Sequence, residues 1–236
     1  MIQIPIQYEE MDALFSATVG AGHRSIAITS SQHDEGVSML SYALARRIAA
    51  SGRRSLLVDL NTERPSVTRR LGIERPGWSL DDGTAVSSIV ELAGTNMSVL
   101  SVPEGASTIM QLKDAKVMSD LIRQWSEKFD NIVLDTSPLA RINQSNVLPD
   151  LVAGCSDASI LMVLAGHTPE TNVAESVVRL TKSGANVIGS VLNDRHCPTL
   201  ASELSREAAR LERWLPALVK KLQATFRGSA FLNQNI

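Results

Sequence analysis

Residues 25–38 read Ser-Ile-Ala-Ile-Thr-Ser-Ser-Gln-His-Asp-Glu-Gly-Val-Ser, and from Val37 to Ser51 apolar side chains return at Leu40, Leu44 and Ile48. A short apolar run, a polar loop with one glycine and a four-residue apolar repeat predict strand, loop and helix in that order. Gly52 stands where such a helix stops. The same alternation continues outward. Short apolar runs at Ser55 to Asp59, Met97 to Val102, Asn131 to Asp135, Ala158 to Leu164 and Asn186 to Leu192 predict buried strands. Met118 to Lys128 and Glu170 to Ser183 carry helical patterns between them. Repeated strand–helix units imply an α/β fold: an open, mostly parallel sheet flanked by helices. In such sheets ligands gather at the carboxyl ends of strands. The strands ending at Thr29, Asp59 and Asp135 are therefore expected to line one cleft.

The chain has 236 residues, 44% hydrophobic and 20% charged, so a full core can form and global disorder is excluded. A net charge of −2 gives no bulk drive toward nucleic acid, and 4% aromatic residues argue against base stacking as the main business. Two cysteines, Cys155 and Cys197, cannot build a disulfide framework. No run of 18 apolar residues and no signal-like start appear, so a cytoplasmic protein is expected.

The loop after the first strand has the position and length of a P-loop. The working pattern is G-x-x-x-x-G-K-[ST]: glycines let backbone N–H groups wrap phosphates, the lysine neutralises them, and the hydroxyl holds Mg²⁺. Gly36 and Ser38 are in place, whereas Ser31 occupies the first glycine position and Val37 the lysine position.

At these residues the chain resembles the bacterial tyrosine kinases of exopolysaccharide and capsule synthesis, relatives of the ParA/MinD ATPases. The family loop T-S-x-x-P-G-E-G-K-S is matched by Thr29, Ser30, Glu35, Gly36 and Ser38. The acidic motif L-L-I-D-x-D-x-R-x-P-S is followed by Leu56-Leu57-Val58-Asp59-Leu60-Asn61-Thr62-Glu63-Arg64-Pro65-Ser66. The strand F-D-x-V-I-I-D-T-P-P is matched by Phe129 to Pro138, and the strand ending in an adenine-reading asparagine by Asn186 to Asn193. The resemblance covers roughly Glu9 to Asp194. It implies a nucleotide site of Glu35, Gly36, Val37, Ser38 and Asn193, with Mg²⁺ at Ser38, Asp59 and Asp135.

The departures fall where the chemistry would happen. Val37 removes the phosphate-binding lysine. His33 and Asp34 replace Pro-Gly, Asn61 replaces the second acid, and Glu63 replaces the following arginine. Two unit charges ~4 Å apart interact by about 4 kcal/mol at an effective dielectric near 20. Losing the lysine and adding an aspartate should weaken ATP or ADP binding with Mg²⁺, or abolish it. Asp59 and Asp135 then stand as catalytic remnants; their plain reading is as helix-capping strand ends. The family's tyrosine-rich tail is absent, since the two tyrosines are Tyr8 and Tyr42. Its ring-forming helix, E-x-x-R-x-L-R, is matched at Glu9 and Leu14, but Asp12 and Phe15 replace the arginines. A monomer or dimer is expected.

The resemblance therefore implies a degenerate member serving exopolysaccharide synthesis or export as an accessory or regulatory protein. Its implied partner is a membrane-anchored chain-length or export protein at the inner face of the cell membrane. Two rivals stand beside it. One is an active tyrosine autokinase that borrows a cation from Arg64, Arg53, Arg54 or a neighbouring subunit. The other is a ParA/MinD-type positioning ATPase. Residues 1–199 are expected to form the P-loop-like domain. In 200–236 an apolar stripe from Leu204 to Phe226 predicts an amphipathic tail, packed on that domain or touching membrane. Gly72 to Gly83 reads as a surface loop, His33 as a solvated loop histidine, Cys155 as a buried small hydrophobe, and His196 with Cys197 as a loop pair.

Overall fold

The computed structural model describes residues 6–62, 64–73, 79–80, 85–101, 105–140 and 146–195. The C-terminal stripe, His196, Cys197 and most of the 72–83 loop lie outside them. A first helix, α1 (Glu9–Phe15), runs into a π-helical turn at Ser16–Gly20. Then come β1 (Ser25–Ser30), α2 (Val37–Ala50), β2 (Ser55–Asp59), α3 (Ser66–Arg70), β3 (Val90–Glu91) and β4 (Met97–Ser101). The chain continues through α4 (Ala106–Gln111), α5 (Ala115–Lys128), β5 (Asn131–Asp135), α6 (Pro149–Gly154), β6 (Ala158–Leu164), α7 (Glu170–Lys182) and β7 (Val187–Asn193).

The strands form one seven-stranded sheet in the order β3-β4-β2-β5-β1-β6-β7. The pairs β4–β2, β2–β5, β5–β1 and β1–β6 are parallel, and the two-residue β3 lies antiparallel on β4. Six strands and the long helices stand within a few residues of where the periodicity puts them. The short elements α3, α4, α6 and β3 carry too few turns or residues to announce themselves, whereas α1 stands where the resemblance puts a helix.

Successive strand residues point to opposite faces, and the core divides accordingly. Ile26, Ile28, Leu57, Val133, Ile160 and Met162 pack with Leu40, Leu44 and Ile48 of α2 and Met11 of α1. Ala27, Leu56, Val58, Ile132, Leu134 and Leu161 pack on the other face with Met118, Leu121 and Trp125 of α5 and Leu180 of α7. Each such buried aliphatic side chain contributes about 1.5–3 kcal/mol. Asp114 starts α5 by accepting the N–H groups of Lys116 (2.8 Å) and Val117 (3.4 Å).

The chain divides into two compact units, 1–163 with 168–191 and 164–167 with 192–236. Within the described part of the second, Ala165 N–H donates to the Asn193 carbonyl (2.9 Å) and Arg195 N–H to Asn193 Oδ1 (3.1 Å). No helix among the described residues is long and apolar enough to cross a membrane.

Candidate nucleotide site

The parallel register alone brings the acids together. Asp59 at the end of β2 pairs with Asp135 at the end of β5, and Asp135 pairs on its other side with Ile28 of β1. Both aspartates are fully buried. They cap no helix. Asp59 Oδ1 accepts the N–H of Asn61 (3.2 Å). Neither carboxyl oxygen of Asp135 has a hydrogen-bond partner of good geometry. Burial above all, and then the charge of Asp59, push the Asp135 carboxyl well above its ordinary range; the nearby Ser38 and Ser41 hydroxyls and Arg70 pull weakly the other way. Two carboxylates and the Ser38 hydroxyl make a small, hard oxygen donor set. It suits an ion such as Mg²⁺, which is held by one or two carboxylates while keeping waters and phosphate oxygens. The unpartnered, fully buried Asp135 is the observation that makes this fit.

The loop between β1 and α2 is held from inside. Glu35 is buried, and its Oε2 accepts the N–H groups of Ser31 (2.9 Å) and Gln32 (3.2 Å). Thr168 donates its hydroxyl to Glu35 Oε1. Ser31, in the first glycine position, is buried and shares a hydroxyl–hydroxyl bond of 2.9 Å with Ser176 of α7. Two positions bend left-handed. Gly36, at φ +102°, starts α2. Asp34, at φ +63°, is the sole non-glycine residue with positive φ among the described residues. Aspartate is one of the few side chains that tolerates this region. The family pattern has glycine at Asp34, so the backbone turn is retained although its usual residue is gone.

Val37 opens α2 as a buried side chain. It is 8% exposed and packed among the side chains of β1 and α2. Asp34 is exposed but not left unpaired: Arg64 Nη1 lies 3.3 Å from its Oδ2. This corrects the sequence accounting, in which Asp34 adds uncompensated negative charge. Asn61, in place of the family's second acid, accepts Arg64 N–H at Oδ1 (3.1 Å). Arg54, another cation named from sequence, points elsewhere. It precedes β2 and is bonded to Asp130 through its backbone N–H (2.8 Å) and Nη2 (2.7 Å), at the amino end of the sheet.

The structure thus brings together Glu35, Gly36, Ser38, Asp59 and Asp135. Asn193 belongs to the second compact unit. His33, expected to be solvated, is half-buried, with Nε2 out of contact with solvent. Cys155, expected to be buried, is half-exposed, with Sγ 3.5 Å from the Ala115 carbonyl. Sequence reasoning missed Thr168 and Ser176, which brace the loop from far along the chain; no local pattern marks them. On α1, Asp12 and Phe15 both engage Arg47 of α2, by an ion pair of 2.8 Å and by a guanidinium 4.5 Å from the ring centre.

A mostly parallel sheet, a loop of this form after β1, and carboxylates ending β2 and β5 define a P-loop NTPase fold of the ParA/MinD kind. Its homologues are bacterial tyrosine kinases. The chain is 28% identical over 180 residues to the putative tyrosine-protein kinase CapB of Staphylococcus aureus, covering 72% of this chain and 75% of CapB. It is also 28% identical over 185 residues to the succinoglycan biosynthesis transport protein ExoP of Rhizobium meliloti, covering 74% of this chain but 22% of ExoP. Among solved structures, the chimerical protein CapA2B2 superposes with a TM-score of 0.69 at 19% identity, covering 80% of this chain and 86% of that one. The cell division ATPase MinD of Pyrococcus furiosus superposes with a TM-score of 0.56 at 21% identity, covering 78% and 80%. No protein-family model matches the chain.

Proposed function

We propose that this chain is a degenerate, tyrosine-kinase-like P-loop protein acting as an accessory or regulatory component of bacterial exopolysaccharide or capsule biosynthesis. It binds ATP or ADP with Mg²⁺ weakly and turns ATP over slowly or not at all. The observation that carries this reading is Val37, an apolar side chain 8% exposed where a phosphate-binding lysine would stand. Ser38, Asp59 and Asp135 would hold the metal, which neutralises charge between phosphate oxygens when bound. Glu35 holds the loop by accepting its first two N–H groups.

The pathway rests on the likeness to CapB and ExoP. ExoP is far longer than the matched segment. That supports a working partner of the membrane-anchored chain-length or export type, with this chain at the cytoplasmic face. Asp12 and Phe15, occupied with Arg47 inside the chain, support a monomer or dimer rather than a ring built on arginines at those positions. The test is direct. Purified chain with Mg²⁺ and ATP is expected to release phosphate at background rate and to gain no phosphotyrosine. Sustained turnover or autophosphorylation would overturn the reading.

A further inference from the structure

The geometry points to Arg64 as the cation of this phosphate loop: its guanidinium, resting on Asp34, passes to the phosphates of a bound nucleotide. The inference rests on the reading of the loop as a nucleotide site, and supplies what Val37 lacks. Three observations converge on it. Arg64 Nη1 is 3.3 Å from Asp34 Oδ2, in the loop itself, although 30 residues separate them. Both side chains are open to solvent, 61% and 82% exposed, so the contact is a weak, screened one that a competing anion can displace. Arg64 is tied back toward the end of β2: its N–H donates to Asn61 Oδ1 (3.1 Å), two residues beyond Asp59.

Guanidinium suits the task. Its planar fork pairs with phosphate oxygens through two parallel N–H bonds, stays charged at any working pH, and gives up less hydration than an ammonium. Asp34 is then a resting counter-ion that competes with the phosphates. Asn61 is a positioning residue, acting through its bond to the Arg64 N–H. The site would carry its cation on the loop after β2 rather than at the start of α2, and nucleotide binding would open an ion pair that the free protein keeps closed.

Calorimetric titration of the full chain with ATP and Mg²⁺ at low ionic strength tests this. Arg64→Ala is expected to weaken binding about tenfold or more, the scale of a lost charge-assisted pair. Arg64→Lys should keep part of the affinity, and Asp34→Asn should raise it while preserving the left-handed turn. Arg53→Ala, an equal change of net charge beside Asp130 at the amino ends of the strands, should stay within about twofold, the margin allowed for a screened charge. Each exposed substitution is checked for an unchanged melting temperature. If Arg64→Ala binds like wild type while Ser38→Ala loses binding, the Arg64 inference falls and the nucleotide site stands. Equal losses in Arg64→Ala and Arg53→Ala would also overturn it, since bulk charge would then explain both. No binding by the wild-type chain would overturn both the inference and the site.

Discussion

The two ends of the sheet are built on opposite electrostatic terms. At the amino ends of the strands every acid is answered. Asp157 accepts the N–H groups of Arg24 and Ser25, each at 2.9 Å, and Asp130 takes three donors from Arg54. Asp130 is accordingly lowered to about 2, first by the side chain of Arg54 and then by its backbone N–H. At the carboxyl ends, Asp59 and Asp135 lie side by side, fully buried, and Asp135 has no hydrogen-bond partner of good geometry. A fold optimised for stability alone would not bury two neighbouring carboxylates in this way. The first end closes the structure; the second sets two acids side by side, an arrangement that suits a cation.

The sharpest way to break the comparison is Asp135→Asn. Replacing a buried carboxyl that burial and Asp59 hold away from its charged form should stabilise the chain at neutral pH, the largest effect of the three substitutions considered. Urea unfolding should show a higher midpoint at unchanged slope. The pH dependence follows with its sign. Because the folded-state Asp135 is raised, its favourable contribution is present below the ordinary carboxylate range and fades as pH rises through the raised value. Asp135→Asn should flatten that limb. A destabilised Asp135→Asn would mean that this carboxylate is satisfied in the folded protein.

The opposite sign is expected at the other end. Asp157→Ala strips two backbone N–H groups of their acceptor and should cost about 1–3 kcal/mol. Asp130→Asn should have the smallest effect, below about 1 kcal/mol, because the pair with Arg54 is largely exposed. Since Asp130 is lowered, its contribution is present above the unfolded carboxylate range and is lost as pH falls toward 2. The substitution should remove that acid-side loss alone, which denaturant midpoints between about pH 2 and 5 would reveal.

How much of this was legible beforehand divides along the same line. The strands were readable because burial on both faces demands unbroken apolar runs such as Ser-Leu-Leu-Val-Asp at 55–59. The shared cleft of β2 and β5 followed from the rule that ligand sites in open α/β sheets gather at strand carboxyl ends. The apolar character of the lysine position was visible in Val37, but its packing into the core was not. Asp34 looked like a bare repulsive charge, because its partner Arg64 is thirty positions away and meets it through the fold. Likewise Asp12 and Phe15 read as missing arginines. That both close on Arg47 depends on α1 lying against α2, and no spacing within either helix states it.

The central claim is that the carboxyl end keeps a nucleotide site whose weakness lies in the charges of its loop. Calorimetry with ATP and ADP in Mg²⁺, on wild type and on Val37→Lys with Asp34→Gly, tests it most directly. Wild type should bind in the high micromolar range or weaker. The double substitution should bind at least about tenfold more tightly, a gain of about 1.4 kcal/mol, because Gly36, Ser38, Asp59 and Asp135 remain to shape the loop and hold the metal. Tight binding by the wild-type chain, or none by a folded double variant, would contradict the account.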